Sequence, residues 1–137
     1  MRIFVDTGPL VARVYAADAQ HDESLEVFRG ISERRLPYRL LYTSSYVVDE
    51  VLTRLLYEAG HAAAVEGLAL LRGSTLLRII HVTEEDERAA DQAFRKYRDQ
   101  RISYTDCTSK VVMERLGVET AFSFDSDFET MGFARIP

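Results

Sequence analysis

Residues 2–9 read RIFVDTGP, and this stretch decides the fold. Ile3, Phe4 and Val5 form an unbroken apolar run without the polar alternation of a half-buried strand. A strand here should therefore be buried on both faces, as in the centre of a parallel sheet. Asp6 ends the run, and the Thr-Gly-Pro turn that follows leads into a predicted helix. A carboxylate at the carboxyl end of a buried strand lies where open α/β sheets bind ligands and place catalytic groups.

The length and composition predict one domain, residues 1–137, with a core of ordinary size. No apolar stretch approaches the roughly 20 residues needed to cross a bilayer, so we expect no membrane association. The short first apolar run, interrupted by Asp6, does not fit a signal peptide. The single cysteine, Cys107, rules out an internal disulfide and favours a reducing, cytoplasmic location.

Predicted strands and helices alternate along the chain. The strands are expected at residues 3–5, 40–43, 76–80 and 119–124, with a short edge strand at 133–136. The helices are expected at residues 10–15, 23–35, 45–59, 61–72, 83–97 and 103–116, the last two opened by capping boxes. This order predicts βαβ units and a three-layer α/β/α sandwich around a mostly parallel sheet of four or five strands.

Acidic residues stand directly after the predicted strands or in the first turns of the helices. They are Asp6, Asp49 or Glu50, Asp106, and Asp125 with Asp127. All of them could face one edge of the sheet, where their mutual repulsion would be removed by a hard divalent cation. Mg²⁺ or Mn²⁺ in such a cluster can activate water for displacement at phosphorus. Bound cations would also offset the net charge of −5, which otherwise argues against a sequence-independent nucleic-acid binder.

Structural explanations exist for several of these acids. Asp106 could be only a helix-start charge favoured by the macrodipole. The Asp125-Ser126-Asp127 segment could be ordinary turn chemistry. Helical periodicity does not choose between the two acids at positions 49 and 50. Asp6 is the hardest to explain in this way, because the strand before it should be buried on both faces.

Four segments, taken in order, resemble the motifs of PIN-domain ribonucleases of the VapC toxin type. They are residues 3–10, 47–52, 102–106 and 123–128. The resemblance covers essentially the entire chain, and it selects Glu50 rather than Asp49. It leaves the choice between Asp125 and Asp127 open. One mild departure is Cys107, which stands where the family often has a small residue such as Ala.

The resemblance implies a PIN-like fold and a metal-dependent endoribonuclease, the toxin of a type II toxin-antitoxin pair. It implies that Mg²⁺ or Mn²⁺ is held by Asp6, Glu50, Asp106 and Asp125, with Asp127 as a further candidate. Thr7 and Ser123 would orient the carboxylates or their waters. RNA cut by an activated water should carry a 5′-phosphate and a 3′-hydroxyl.

The family resemblance also implies a homodimer inhibited by a small antitoxin protein. The helices predicted at 23–35 and 45–60 support the dimer, since they carry more apolar surface than a sheet of this size covers. We expect the antitoxin tail to lie across the acidic pocket and to insert a basic side chain. Arg suits this role better than Lys, because its planar fork engages two carboxylate oxygens.

Other protein classes fit the sequence less well. Asp6-Thr7-Gly8 matches the aspartic-protease triplet, but that enzyme needs an all-β fold and a second triplet. A haloacid-dehalogenase phosphatase would require an Asp where Gly8 stands. A PIN-fold RNA-binding or scaffold module without nuclease activity remains the main alternative. Such a module would be expected to lack one of the acids, and none is missing.

Several further residues have two interpretations. Tyr104 either stacks on a base or packs locally. Cys107, early in a helix, is expected to be a small buried hydrophobe. Lys110 is four residues after Asp106 and is expected to pair with it. Basic side chains that could reach phosphates are Arg13, Arg54, Arg101 and Lys110, although a solvated helix face explains each of them more simply.

Overall fold

A computed structural model describes residues 1–137 and contains five strands in one sheet. The strands are β1 (Arg2–Val5), β2 (Leu40–Ser44), β3 (Leu77–Ile80), β4 (Thr120–Phe122) and β5 (Ala134–Ile136). Their order is β3-β2-β1-β4-β5, and every neighbouring pair is parallel. The three-layer α/β prediction is confirmed, with five strands in an entirely parallel sheet.

Seven helices connect and cover the strands. They are α1 (Thr7–Val14), α2 (His21–Ser32), α3 (Ser45–Ala59), α4 (His61–Gly73), α5 (Glu84–Lys96), α6 (Tyr104–Leu116) and α7 (Asp127–Thr130). None of them is long and apolar enough to cross a membrane. The sequence did not predict α7, because a helix of four residues is too short to show a periodic pattern.

The central strand β1 is buried as its sequence predicts. Ile3, Phe4 and Val5 are all fully buried. Phe4 pairs with Tyr42 of β2 on one side and with Ala121 of β4 on the other. Burial of each large apolar side chain contributes roughly 1.5–3 kcal/mol relative to exposure, so β1 anchors the core on both faces.

The strand order places a topological switch point at β1. From β1 the chain builds β2 and β3 on one side, and it then returns to pair β4 and β5 on the other side. The crevice at the carboxyl ends of β1 and β4 is the place where such sheets bind ligands. Asp6 lies in this crevice, and its N–H donates to the carbonyl of Phe122 at the end of β4, 2.9 Å away.

Helix ends agree with the sequence in most places. Thr83 and Asp86 form the predicted capping box at α5. At α6 only half of the predicted box exists: the Ser103 hydroxyl accepts from the Asp106 N–H, but no return bond reaches the Ser103 N–H. The prediction of a full box there is therefore wrong, and the Asp106 carboxylate instead lines a cavity.

The predicted helix at 23–35 ends earlier, at Ser32. The cause is Arg34, whose φ of 61° turns the chain left-handed, so that the N–H groups of residues 35 and 36 both donate to the Gly30 carbonyl. The expected excess of apolar surface is also placed differently. Helices α3 and α4 each carry two exposed large apolar side chains and α5 carries one, whereas α2 has none.

Candidate metal centre

A polar cavity of about 580 Å³ opens at the carboxyl ends of β1 and β4. Phe124 is its only hydrophobic lining residue. The acidic lining residues are Asp6, Asp18, Glu50, Asp106, Asp125 and Asp127. Every acid that the sequence and the family resemblance selected therefore reaches this one cavity from four separate parts of the chain.

Asp6 is only 6% exposed and is fixed in orientation. The Ser123 hydroxyl donates to its Oδ2 over 2.7 Å. Burial raises the pKa of Asp6 to about 6, against the opposing effect of the Ser123 hydrogen bond and with help from the negative charges of Glu50 and Asp125. The carboxylate is thus poised to ionise near neutral pH.

Asp106 is 7% exposed and carries the larger perturbation. Burial raises its pKa to about 8, and the charges of Asp6, Asp125, Glu50 and Asp127 add to the shift. Burial and these four negative charges both disfavour the ionised form of the Asp106 carboxylate. The site therefore favours the binding of a cation.

Asp106, Asp125 and Asp127 each offer a carboxylate oxygen, and these three atoms lie within 4.8 Å of one another. The Asp127 N–H donates to Asp125 Oδ1 over 2.9 Å, so the turn chemistry foreseen for this segment is present inside the site. Burial, followed by the charge of Asp125, raises the pKa of Asp127. Both acids line the cavity, and the geometry does not choose between them.

Asp49 and Glu50 are separated clearly by their positions. Asp49 is exposed and does not line the cavity, whereas Glu50 is half-buried and does. Helical periodicity left this choice open. It describes the face of α3 that packs on the core, whereas the cavity lies beside that face at the edge of the sheet.

Two buried hydroxyl groups support the acids. Ser123 is fully buried; its hydroxyl donates to Asp6 and accepts the Asp125 N–H over 3.0 Å. Thr7 lines the cavity and is almost fully buried, but its hydroxyl has no hydrogen-bond partner. An orphaned hydroxyl beside hard carboxylate oxygens fits a site for a hydrated Mg²⁺ or Mn²⁺ ion.

No pattern in the sequence points to Asp18 as a residue of the site. It lies in a polar loop, and its Oδ1 accepts the Gln20 N–H over 2.8 Å. Its carboxylate therefore shapes a turn at the wall of the cavity. Asp18 belongs to no motif, so its position beside the other acids becomes visible only in the folded chain.

Of the four basic residues considered from the sequence, two line the cavity and two do not. Arg54 and Arg101 line the cavity, and Arg54 also pairs with Glu58. Lys110 pairs with Glu114, so its expected pairing with Asp106 is wrong. The reason is that Asp106 is buried towards the cavity, while Glu114 offers an exposed carboxylate one turn further on. Arg13 does not line the cavity.

Tyr104 packs locally. Its hydroxyl donates to Asp91 Oδ1 over 2.8 Å, and its ring meets the Phe94 ring edge-on, with the centroids 5.8 Å apart. Burial and the Asp91 hydrogen bond raise the pKa of Tyr104 to about 12. Cys107 is fully buried, as expected for a small hydrophobe, and burial raises the pKa of its thiol.

Comparison with known proteins places these features in context. The PIN domain model matches residues 3–134. The 23S rRNA-specific endonuclease VapC20 of Mycobacterium tuberculosis (strain H37Rv) is 34% identical over 134 residues, which cover 98% of this chain and 97% of that protein. A crystal structure of M. tuberculosis VapC20, described as a Sarcin-Ricin loop cleaving toxin, has a TM-score of 0.89 at 33% identity and covers 98% of both chains.

More distant structures share the fold. FitAcB from Neisseria gonorrhoeae has a TM-score of 0.69 at 15% identity, with 98% of this chain and 96% of that chain covered. VapBC2 from Rickettsia felis, in a structure bound to a DNA fragment from its promoter, has a TM-score of 0.68 at 12% identity, with coverage of 99% and 98%.

Proposed function

This chain belongs to the PIN-domain family, and on that premise we propose that it is a metal-dependent endoribonuclease, the toxin of a type II toxin-antitoxin pair. The observation that carries the proposal is the convergence of six carboxylates on one cavity, with the pKa of Asp106 raised to about 8 and that of Asp6 to about 6. A 34% identical relative named as an endonuclease supports the same activity.

We assign the divalent cation to Asp6, Glu50, Asp106 and Asp125, with Asp127 beside them. A bound Mg²⁺ or Mn²⁺ ion supplies an activated water for attack at phosphorus and positive charge for the transition state. Oxygen ligands of this kind suit both ions and disfavour soft metals.

The protein groups prepare this chemistry. Ser123 holds Asp6 in one orientation and, by donating to it, favours its ionised form. The same hydroxyl accepts the Asp125 N–H and so links the ends of β1 and β4. Asp106 must release its proton before it can act as a ligand. In the reaction the water oxygen bonds to phosphorus, the bond to the 3′ oxygen breaks, and that oxygen gains a proton.

The first test is RNA cleavage by the purified chain. We expect cleavage with Mg²⁺ or Mn²⁺, none with EDTA, and products that carry a 5′-phosphate and a 3′-hydroxyl. An RNA containing the Sarcin-Ricin loop is the first substrate to try, because the relative is described as cleaving that loop. Glu50→Gln should abolish cleavage, while the neighbouring Asp49→Asn serves as the matched control and should not. Equal cleavage in EDTA would contradict the metal mechanism, and RNA binding without cleavage would favour the scaffold alternative.

We also propose that two copies pair through an α3–α4 face, defined as Leu56, Tyr57, Val65 and Leu68. These side chains are between 39% and 83% exposed. Leu56, Val65 and Leu68 line one shallow apolar groove. Exposed apolar side chains grouped in this way are typical of protein-protein interfaces. The mass of the free chain in solution tests whether two copies pair.

A small antitoxin is the second proposed partner, supported by the description of the similar VapC20 structure as a toxin. We expect its tail to place an Arg among the carboxylates, because a guanidinium supplies the missing positive charge and engages two oxygens at once. Mg²⁺ and this Arg would then compete for the same oxygens.

The measurement uses co-expression with the proposed antitoxin, which we expect to be encoded by a short reading frame beside the gene. Light scattering should give about 31 kDa for the free toxin, twice the 15.6 kDa of one chain, and a larger mass for the complex. RNA cleavage by the complex should rise with Mg²⁺ concentration. A monomeric free toxin would rule out the dimer. Inhibition that ignores Mg²⁺ and survives replacement of every basic residue in the antitoxin tail would rule out the competition.

A further inference from the structure

Positive charge is concentrated in one segment of this acidic chain. The net charge is −5, yet residues 95–101 read RKYRDQR, with four basic residues and one acid. The segment spans the end of α5 and the connection to α6. We define the basic strip as Arg95, Lys96, Arg98 and Arg101, together with the adjacent Phe94.

The four cations of the basic strip have no acidic partner. All four are exposed, and none takes part in an ion pair or a side-chain hydrogen bond. Arg side chains elsewhere in the chain commonly form ion pairs or hydrogen bonds; Arg35, for example, pairs with both Glu26 and Glu33. Unpaired cations in a row form a surface that suits a polyanion.

The basic strip leads directly to the acidic cavity. Arg101 lies in the cavity wall, two residues before Ser103, which caps α6. At the other end, Phe94 is 50% exposed, and its ring packs edge-on against Tyr104, the first residue of α6. The half-exposed Phe94 ring therefore lies close to the start of α6, the helix that carries Asp106.

We propose that the basic strip binds the single-stranded RNA that flanks the scissile phosphate, with the cations on the phosphates and Phe94 stacked on a base. The inference rests on the proposed nuclease function and names the path of its substrate. Basic side chains along a backbone with an aromatic platform are the usual means of binding single strands. The same cations would draw RNA towards a cavity whose own charge repels it.

The test compares RNA affinity in matched variants. Fluorescence anisotropy with a single-stranded RNA oligonucleotide, in EDTA, measures binding without the metal. We expect Lys96→Gln with Arg98→Gln to weaken binding about tenfold and to reduce the slope of log affinity against log salt by about 1.4, since each lost phosphate contact removes about 0.7. Phe94→Ala should weaken binding about tenfold, and Phe94→Tyr should restore it.

Arg72→Gln with Arg78→Gln is the control, because it removes the same charge at two exposed cations outside the cavity. It should leave affinity and salt slope within about twofold of the parent. Equal losses in the two double variants, or an unchanged salt slope in the first, would overturn the proposal. A gel of the same samples, repeated with Mg²⁺, reports cleavage separately. If the chain does not cut RNA with Mg²⁺ but its variants still show these losses of affinity, the proposed nuclease function is refuted. The proposal that the basic strip binds RNA then still stands.

Discussion

Asp106→Asn is expected to abolish RNA cleavage and to leave the metal-free protein at least as stable as the parent. The variant removes a ligand from the centre of the carboxylate cluster, so we expect a loss of at least about a thousandfold. Residues that only orient a metal ligand typically cost about 10- to 100-fold when replaced. At neutral pH the folded metal-free chain must hold a proton on Asp106 that the unfolded chain releases, and the Asn variant removes this cost of folding.

The change in stability distinguishes a role of Asp106 in the carboxylate cluster from a purely structural role at the start of α6. If Asp106 were only a favourable charge at the start of α6, its replacement would lower the free energy of unfolding by about 0.3–1 kcal/mol. If it belongs to a repulsive cluster, the free energy of unfolding stays the same or rises. Urea unfolding in EDTA measures this sign, and a cleavage assay with Mg²⁺ measures the activity. Full activity in the variant would remove Asp106 from the set of ligands.

Substitutions of the other acids, measured in the same two assays, test which carboxylates belong to the site. Asp6→Asn should behave in the same way, and Asp49→Asn, at an exposed carboxylate outside the cavity, controls for the loss of one negative charge. Asp125→Asn and Asp127→Asn should be measured side by side. The Asp127 backbone N–H donates to the Asp125 carboxylate, so both acids belong to one turn. The variant with the larger loss of activity identifies the closer ligand.

Local patterns in the sequence were enough to predict the sheet and the edge on which the acids meet. The apolar run before Asp6 marks the central strand, and parallel strands bring their carboxyl ends to one side. Capping residues such as Thr83 predict helix starts because their hydrogen bonds span only three residues. Information of this kind lies within a few residues of the position that it describes.

The remaining features depend on contacts between distant segments. Ser123 donates to Asp6 across 117 positions of sequence, and no local pattern encodes that bond. Lys110 had two acids within one turn, and only the burial of Asp106 decided the pairing for Glu114. The family resemblance supplied Glu50, which the periodicity of α3 could not select.

The stability of the metal-free protein is expected to fall as pH rises from about 5 to about 9. The pKa of Asp106 is about 8 in the folded chain, against an ordinary value of 3.8, so the folded state holds a proton that the unfolded state releases. Its stabilising contribution is complete below pH about 4 and is lost as pH rises through about 8. Asp6 follows the same course, with its contribution lost as pH rises through about 6.

The titration of Asp86 falls outside the range from pH 5 to pH 9. Burial would raise the pKa of Asp86, but the hydrogen bonds and charge of Arg115 outweigh it and lower the pKa below its ordinary value. The stabilising contribution of Asp86 is therefore lost only in acid, on the far side of the window. The slope between pH 5 and pH 9 should report the cluster itself, and Asp106→Asn should remove the larger part of it.

Divalent cations should reverse the trend, because they bind the ionised carboxylates that destabilise the free protein at high pH. Binding to the folded state raises the free energy of unfolding by an amount that grows with the ratio of free cation to its dissociation constant. We expect the stabilisation by Mg²⁺ to increase from pH 6 to pH 9 in the parent chain and to be largely absent in Asp106→Asn. Urea unfolding across this range, with EDTA and with Mg²⁺, measures both effects without any RNA. A parent chain whose metal-free stability stays level across these pH values, and which Mg²⁺ does not stabilise, would show that the carboxylates do not form one coupled site.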